Sequence, residues 1–165
     1  MFGVLVVTSE PPQDTDLYEA ARLRQATLQD VHKLVRLFEQ ARASDTASLV
    51  TDVRAWLEHG GALVLENASG DLLCALCWRE DGAGWQLDRI ATLPEARGQG
   101  YGRWLMTKVE ALAIRANIPT LCLSLDDKRD DLLAYYGRMG YASVREHGGR
   151  IELEKRVGGM WQFKR

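Results

Sequence analysis

Apolar positions along the chain repeat with two periods, and the changes between them divide it into elements. "RLRQAT" (Arg22 to Thr27) alternates as a short strand does. Thr27 and Asp30 form a Thr-x-x-Asp helix-start signature. Val31, Leu34, Val35, Phe38 and Ala41 follow at helical spacing. A second helix carries Leu49, Val53, Trp56 and Leu57, and Gly60-Gly61 closes it, as glycine does at helix C-termini. Then "ALVLE", "LLCALCWRE" and "WQLDRIAT" read as three strands joined by the glycine-containing turns "NASGD" and "DGAG", an antiparallel meander. Tyr101, Trp104, Leu105, Leu112 and Ala116 mark one face of a further helix. Pro119 precedes a strand, "TLCLSL", and a helix over roughly 128–139 ends at Gly140. Two strands, "YASVRE" and "RIELEKRV", flank the turn "HGGR". The order β-α-α-β-β-β-α-β-α-β-β predicts an α+β (mixed α/β) domain with a central, largely antiparallel sheet.

Pro11-Pro12 and the polar run after them set residues 1–20 apart as an N-terminal extension. The domain proper spans 21–157, and 158–165 form a C-terminal tail. The patch Val4 to Val7 and the tail segment "MWQF" are candidates for a dimer contact, so monomer and homodimer both stay open.

A chain of 165 residues with 46% hydrophobic residues is long enough to bury one core. Its net charge of −2 argues against a general nucleic-acid binder. No stretch is long and apolar enough to span a membrane, and the N-terminus lacks a basic region and a cleavage site, so the cytoplasm is the expected location. Cys74-Ala75-Leu76-Cys77 has the spacing of a metal pair, but it lies in a strand, "DLLCALCW". Residues three apart on a strand point to opposite faces. Cys74, Cys77 and Cys122 are therefore read as reduced, buried thiols. His32, His59 and His147 have no partners at catalytic or metal spacing, and no metal is expected.

Chemistry concentrates in "LPEARGQGYGRWLM", Leu93 to Met106. Gly98, Gly100 and Gly102 stand at alternate positions just where a helix begins. The first turn of a helix has unpaired N–H groups and a positive dipole end, which together bind anions. Glycines let phosphate oxygens reach that backbone, and Arg97 adds a cation. The run is not G-x-G-x-x-G, because Arg103 stands where the third glycine would be, and it lacks the Lys-Ser/Thr of a P-loop. Alone it indicates only an anion.

Arg97-Gly98-Gln99-Gly100-Tyr101-Gly102 matches Arg/Gln-x-x-Gly-x-Gly/Ala. In its setting after a strand and at a helix start, it resembles the acetyl-CoA signature of the GNAT superfamily of N-acetyltransferases. About thirty residues on, "LLAYYGRMGY" resembles that family's "lYeklGF" segment. The element order agrees from Arg22 to Val157.

The resemblance implies a GNAT-type fold with splayed fourth and fifth strands and about four flanking helices. It implies that acetyl-CoA is the co-substrate and that an amine is the acceptor. The backbone from Gln99 to Arg103 would cradle the pyrophosphate. Ile90, Ala91 and Thr92 would pair with the pantetheine arm. Tyr136 aligns with the general acid that protonates the departing thiolate; the alternative is a core aromatic beside Leu132, Leu133 and Met139, and Tyr135 packs. Transfer would be direct, within a ternary complex.

The base is less defined. Gln86 and Ser124 stand where many members of the family carry base-associated residues, and neither is a base. Asp88 shares a face with Gln86 and is the candidate for binding the amine or relaying its proton; a salt-bridged strand carboxylate and a water chain are the alternatives. Asp127-x-x-Asp130 reads as a helix start, and Arg129 occupies a position where the family often has asparagine. Acceptor-facing residues are expected from the first helices and from the strand near Trp78 and Glu80. A non-catalytic acyl-CoA-binding module would keep the glycines and have no use for Tyr136. Acylation of a hydroxyl, or a longer acyl donor, is the third possibility.

Overall fold

The computed structural model describes residues 21–41, 49–82 and 84–158. The Val4–Val7 patch and the "MWQF" segment lie outside them. Strand β1 (Arg22–Gln25) leads through a 3-10 turn into helix α1 (Val31–Gln40), and α2 spans Leu49–His59. The meander follows as β2 (Gly60–Glu66), β3 (Leu72–Asp81) and β4 (Gly84–Thr92). A 3-10 turn (Pro94–Ala96) precedes α3 (Tyr101–Arg115), and β5 (Thr120–Asp126), α4 (Asp130–Arg138), β6 (Ala142–His147) and β7 (Arg150–Arg156) complete the order. The seven strands form one sheet, β1-β2-β3-β4-β5-β7-β6, in which β4–β5 is the parallel pair. The mixed, largely antiparallel architecture read from the sequence is the one observed.

The start of α1 is held by the signature that predicted it. Asp30 accepts the Thr27 N–H at 2.8 Å, and Arg24 donates to both of its oxygens at 2.8 Å. Three donors satisfy a carboxylate only 5% exposed.

Three local expectations need correction. Gly60 and Gly61 do not form a left-handed helix cap; neither has a positive φ, and both belong to β2. A Cβ on Gly60 would lie 2.1 Å from the Trp78 carbonyl oxygen, and one on Gly61 2.5 Å from the Trp78 ring. These glycines admit β3 at close range. On α3, Ala116 is exposed, and the inward face comprises Tyr101, Leu105, Met106, Lys108, Val109 and Ala113. At α4, Asp126 rather than Asp127 receives a turn N–H, that of Lys128, while Asp130 and Asp131 occupy the first helical turn.

Register sorts the sheet into two faces. Trp85 pairs with Leu121 and Leu121 with Lys155, whose ammonium is 2.9 Å from Glu110 on α3. Residues opposite one another share a face, so α3 covers the face of Trp78, Trp85, Leu87 and Leu121. The other face carries Arg79, Gln86 and Arg89. Arg89 lies over Phe38 of α1 and Trp56 of α2, at 5.9 and 5.5 Å, so α1 and α2 cover this second face.

Candidate active site

β4 and β5 pair from Gly84–Thr120 to Leu87–Leu123 and no further. At that same place β4 carries an extra residue. Trp78 opposes Leu87 and Cys77 opposes Arg89, so Asp88 has no counterpart on β3. A bulge of this kind raises the local twist and turns the strand aside. The splay of the fourth and fifth strands therefore begins at Asp88. Beyond it Ile90, Ala91 and Thr92 pair with Leu76, Ala75 and Cys74 of β3, and among the described residues their other edge pairs with no strand. Such an edge can hydrogen-bond an extended ligand.

The chain then turns through Pro94–Ala96 and enters α3. Gly98 (φ 77°) and Gly100 (φ 82°) adopt left-handed backbone, and Gly100, the N-cap, has no side chain to cap the helix. Gly102 has ordinary helical backbone, yet a Cβ there would meet nothing within 4 Å, and the same is true at Gly98. The first turn of α3 is open where its N–H groups gather. Tyr101 is buried in the core. Arg97 donates to the carbonyls of Thr92 and Ala41, both at 3.3 Å, and so ties the loop to β4 and to the end of α1. Gln99 is half-buried and Arg103 exposed.

Tyr136, on α4, is 8% exposed. Its ring meets Tyr135 and Tyr141 edge-on, with centroids 5.1 and 5.9 Å away. Burial, with Tyr135 adding, pushes its phenol up to about 12, so it stays protonated throughout the neutral range. Tyr135 is half-buried and packs, as expected. Near the end of β4, Cys74 Sγ lies 3.2 Å from Thr92 Oγ1, and burial pushes that thiol up to about 11.

Asp88 is an ion-paired strand carboxylate at the start of the splay. Arg79 Nε stands 3.1 Å from its Oδ2. The Trp56 side chain hydrogen-bonds to the carboxylate, and burial pushes its pKa up against the pull of Arg79. Trp56 and Arg79 were not singled out for this neighbourhood from the sequence. Trp56 had been placed on an apolar helix face. Trp78 faces the core instead of an acceptor: it is buried and stacks on Trp85 at 4.9 Å. The signal for Arg79 was present in the hairpin, because it stands opposite Gln86.

Cys74 and Cys77 are buried, whereas Cys122 is half-buried, contrary to expectation. Cys122 opens on a cavity of about 380 Å³ bordered by Asp81, Gln86, Arg145 and Glu152. Burial and the nearby carboxylates of Glu154, Asp81 and Glu152 push its thiol pKa up. Among the described residues no group of three or more His, Cys, Asp or Glu side chains is placed to hold a metal ion, and no helix is long and apolar enough to cross a membrane.

Known proteins are similar to the chain in sequence and in shape. A family model described as an acetyltransferase (GNAT) domain matches residues 58–143. The S-alkylcysteine N-acetyltransferase of Bacillus subtilis (strain 168) is 31% identical, over 72% of this chain and 76% of its own length. The ribosomal-protein-S18-alanine N-acetyltransferase of Escherichia coli superposes with a TM-score of 0.76 at 16% identity, covering 88% of this chain and 99% of that one. The PaiA N-acetyltransferase of Thermoplasma acidophilum, solved with coenzyme A, gives 0.71 at 14% identity, over 83% and 99% of the two chains.

Proposed function

The chain belongs to the GNAT family of acetyltransferases and is an acyltransferase; from that premise we propose that it moves the acetyl group of acetyl-CoA directly to a primary amine of a small molecule or peptide. Tyr136 would serve as the acid and Asp88 as the amine-binding group. One observation carries the reading: the pairing of β4 with β5 ends at the bulge that leaves Asp88 unopposed.

The residues present suit acetyl-CoA. The open edge of Ile90, Ala91 and Thr92 would pair with the pantetheine arm. The N–H groups from Gln99 to Arg103 would hold the pyrophosphate, with room left by the missing side chains of Gly98 and Gly102. A charge at an exposed helix end contributes about 0.3–1 kcal/mol, whereas micromolar binding requires about 8 kcal/mol. The strand edge must therefore supply much of the affinity. Bound there, acetyl-CoA supplies an acetyl group activated as a thioester.

Asp88 would hold the acceptor's ammonium and take a proton from it. Burial makes its carboxylate a stronger base than an exposed aspartate. Tyr136 would donate to the departing sulfur. A phenol raised to about 12 is a weaker acid than an ordinary thiol near ~8.5. Burial raises a thiol as well, as it does Cys74 against Thr92, to about 11, so a buried coenzyme sulfur would draw closer to the phenol.

The Bacillus relative's acceptor is an S-alkylcysteine, which makes S-methylcysteine the first amine to assay here, beside a polyamine, a peptide N-terminus and an alcohol. With whichever acceptor releases thiol, Tyr136→Phe should lower kcat about 100-fold. Its acetyl-CoA affinity, measured by calorimetry, should stay within about twofold. An equal loss of turnover and affinity would remove Tyr136 from the acid role.

A further inference from the structure

We propose that Arg79 is a displaceable stand-in for the acceptor's ammonium, occupying Asp88 in the free enzyme and swinging aside when an amine arrives. This rests on the reading of Asp88 as the amine-binding group. The two partners are unequally buried: the Arg79 side chain is 56% exposed and that of Asp88 only 17%. They are close in charge but poorly matched in geometry. Arg79 Nε lies 3.1 Å from Asp88 Oδ2, yet that buried oxygen receives no hydrogen bond from the described residues.

A buried carboxylate oxygen without a donor is unfavourable. An ammonium carries three donors on a compact, rotatable head, and can aim one at Oδ2 while Trp56 keeps its own bond to the carboxylate. Arg79 can return its head to water at little cost, because most of it is there already. Among the described residues the other charged groups that act on Asp88 are Arg89 on its own strand and Asp81 on β3. Arg89 lies over the rings of Phe38 and Trp56, whereas more than half of the Arg79 side chain is in solvent.

The test needs no natural acceptor. The Asp88 side-chain carboxyl resonance, assigned by its absence in Asp88→Asn, is followed by 13C NMR in the full-length protein. Methylammonium is titrated in, and tetramethylammonium at equal ionic strength is the control without N–H donors. Methylammonium should shift the resonance saturably and tetramethylammonium should not. In Arg79→Gln, half-saturation should come at roughly two- to fivefold lower concentration, the scale of a partly exposed ion pair. Arg79→Lys, which keeps a cation, should behave as the wild type. Equal half-saturation in wild type and Arg79→Gln would overturn the stand-in role while leaving Asp88 as the amine's partner. No saturable shift in either protein would overturn the reading of Asp88 itself.

Discussion

Gly60 and Gly61 follow the last turn of α2, and Gly98, Gly100 and Gly102 surround the first turn of α3. As sequence, both runs are glycines at a helix boundary. In the fold they differ in what a side chain would meet. At Gly60 and Gly61 it would strike Trp78 within 2.5 Å, while at Gly98 and Gly102 it would meet nothing within 4 Å. The first pair is needed by the protein's own packing. Gly98 and Gly100 answer a left-handed backbone as well, but Gly102 answers no demand of the fold. Open space alone does not set this run apart, since Gly82, Gly137 and Gly148 also meet nothing within 4 Å; its place at the first turn of α3, where N–H groups gather, does. The two helix starts also differ in their boundary residue: before α1 Asp30 accepts the Thr27 N–H and pairs with Arg24, while α3 begins at Gly100, which has no side chain to cap with.

Substitutions can break this contrast, beginning with the most severe. Gly60→Ala forces backbone apart from backbone and should destabilise the fold by about 3 kcal/mol. A urea midpoint would measure this, and a wild-type midpoint would refute the packing role. Asp30→Asn removes the anion that closes the start of α1 and should cost about 2 kcal/mol. Its pH signature is specific. Arg24 and the Thr27 N–H hold the Asp30 carboxyl below its usual range. The stabilisation is therefore complete above pH ~4 and fades as pH falls further. Thermal melts between pH 2 and 6 should show that loss in the wild type, and the two proteins should converge toward the acid end.

The same contrast explains what was legible in the sequence. Strand alternation and glycine turns predicted the meander, because those signals are local. The Thr27–Asp30 signature located the start of α1 for the same reason. Gly60 and Gly61 were assigned the wrong cause, since their partner, Trp78, arrives from the next strand of the hairpin. Ala116 is exposed because the helix ends at Arg115 and Ala116 is its C-cap, past the last packed turn, while Lys108, polar in sequence, lies on the buried face. The bulge left no trace in "WQLDRIAT", whose spacing looks regular until Arg89 is seen opposite Cys77. With the bulge unseen, the point where β4 and β5 part could not be tied to Asp88. Trp78 was set on the acceptor side because one residue of phase decides which face a strand side chain takes. Arg79, its neighbour, lies on the face of Gln86 and pairs with Asp88.

Gly102 provides the most direct test. The motif that this stretch resembles accepts glycine or alanine there, so Gly102→Ala should bind acetyl-CoA nearly as the wild type does. Gly102→Leu should keep or slightly raise stability, by up to about 0.8 kcal/mol, because leucine favours helix and its Cβ has space. Calorimetric titration with acetyl-CoA should show its affinity lowered at least tenfold, about 1.4 kcal/mol. A stable Gly102→Leu protein that binds acetyl-CoA as tightly as the wild type would contradict the claim that this opening is kept for the cofactor.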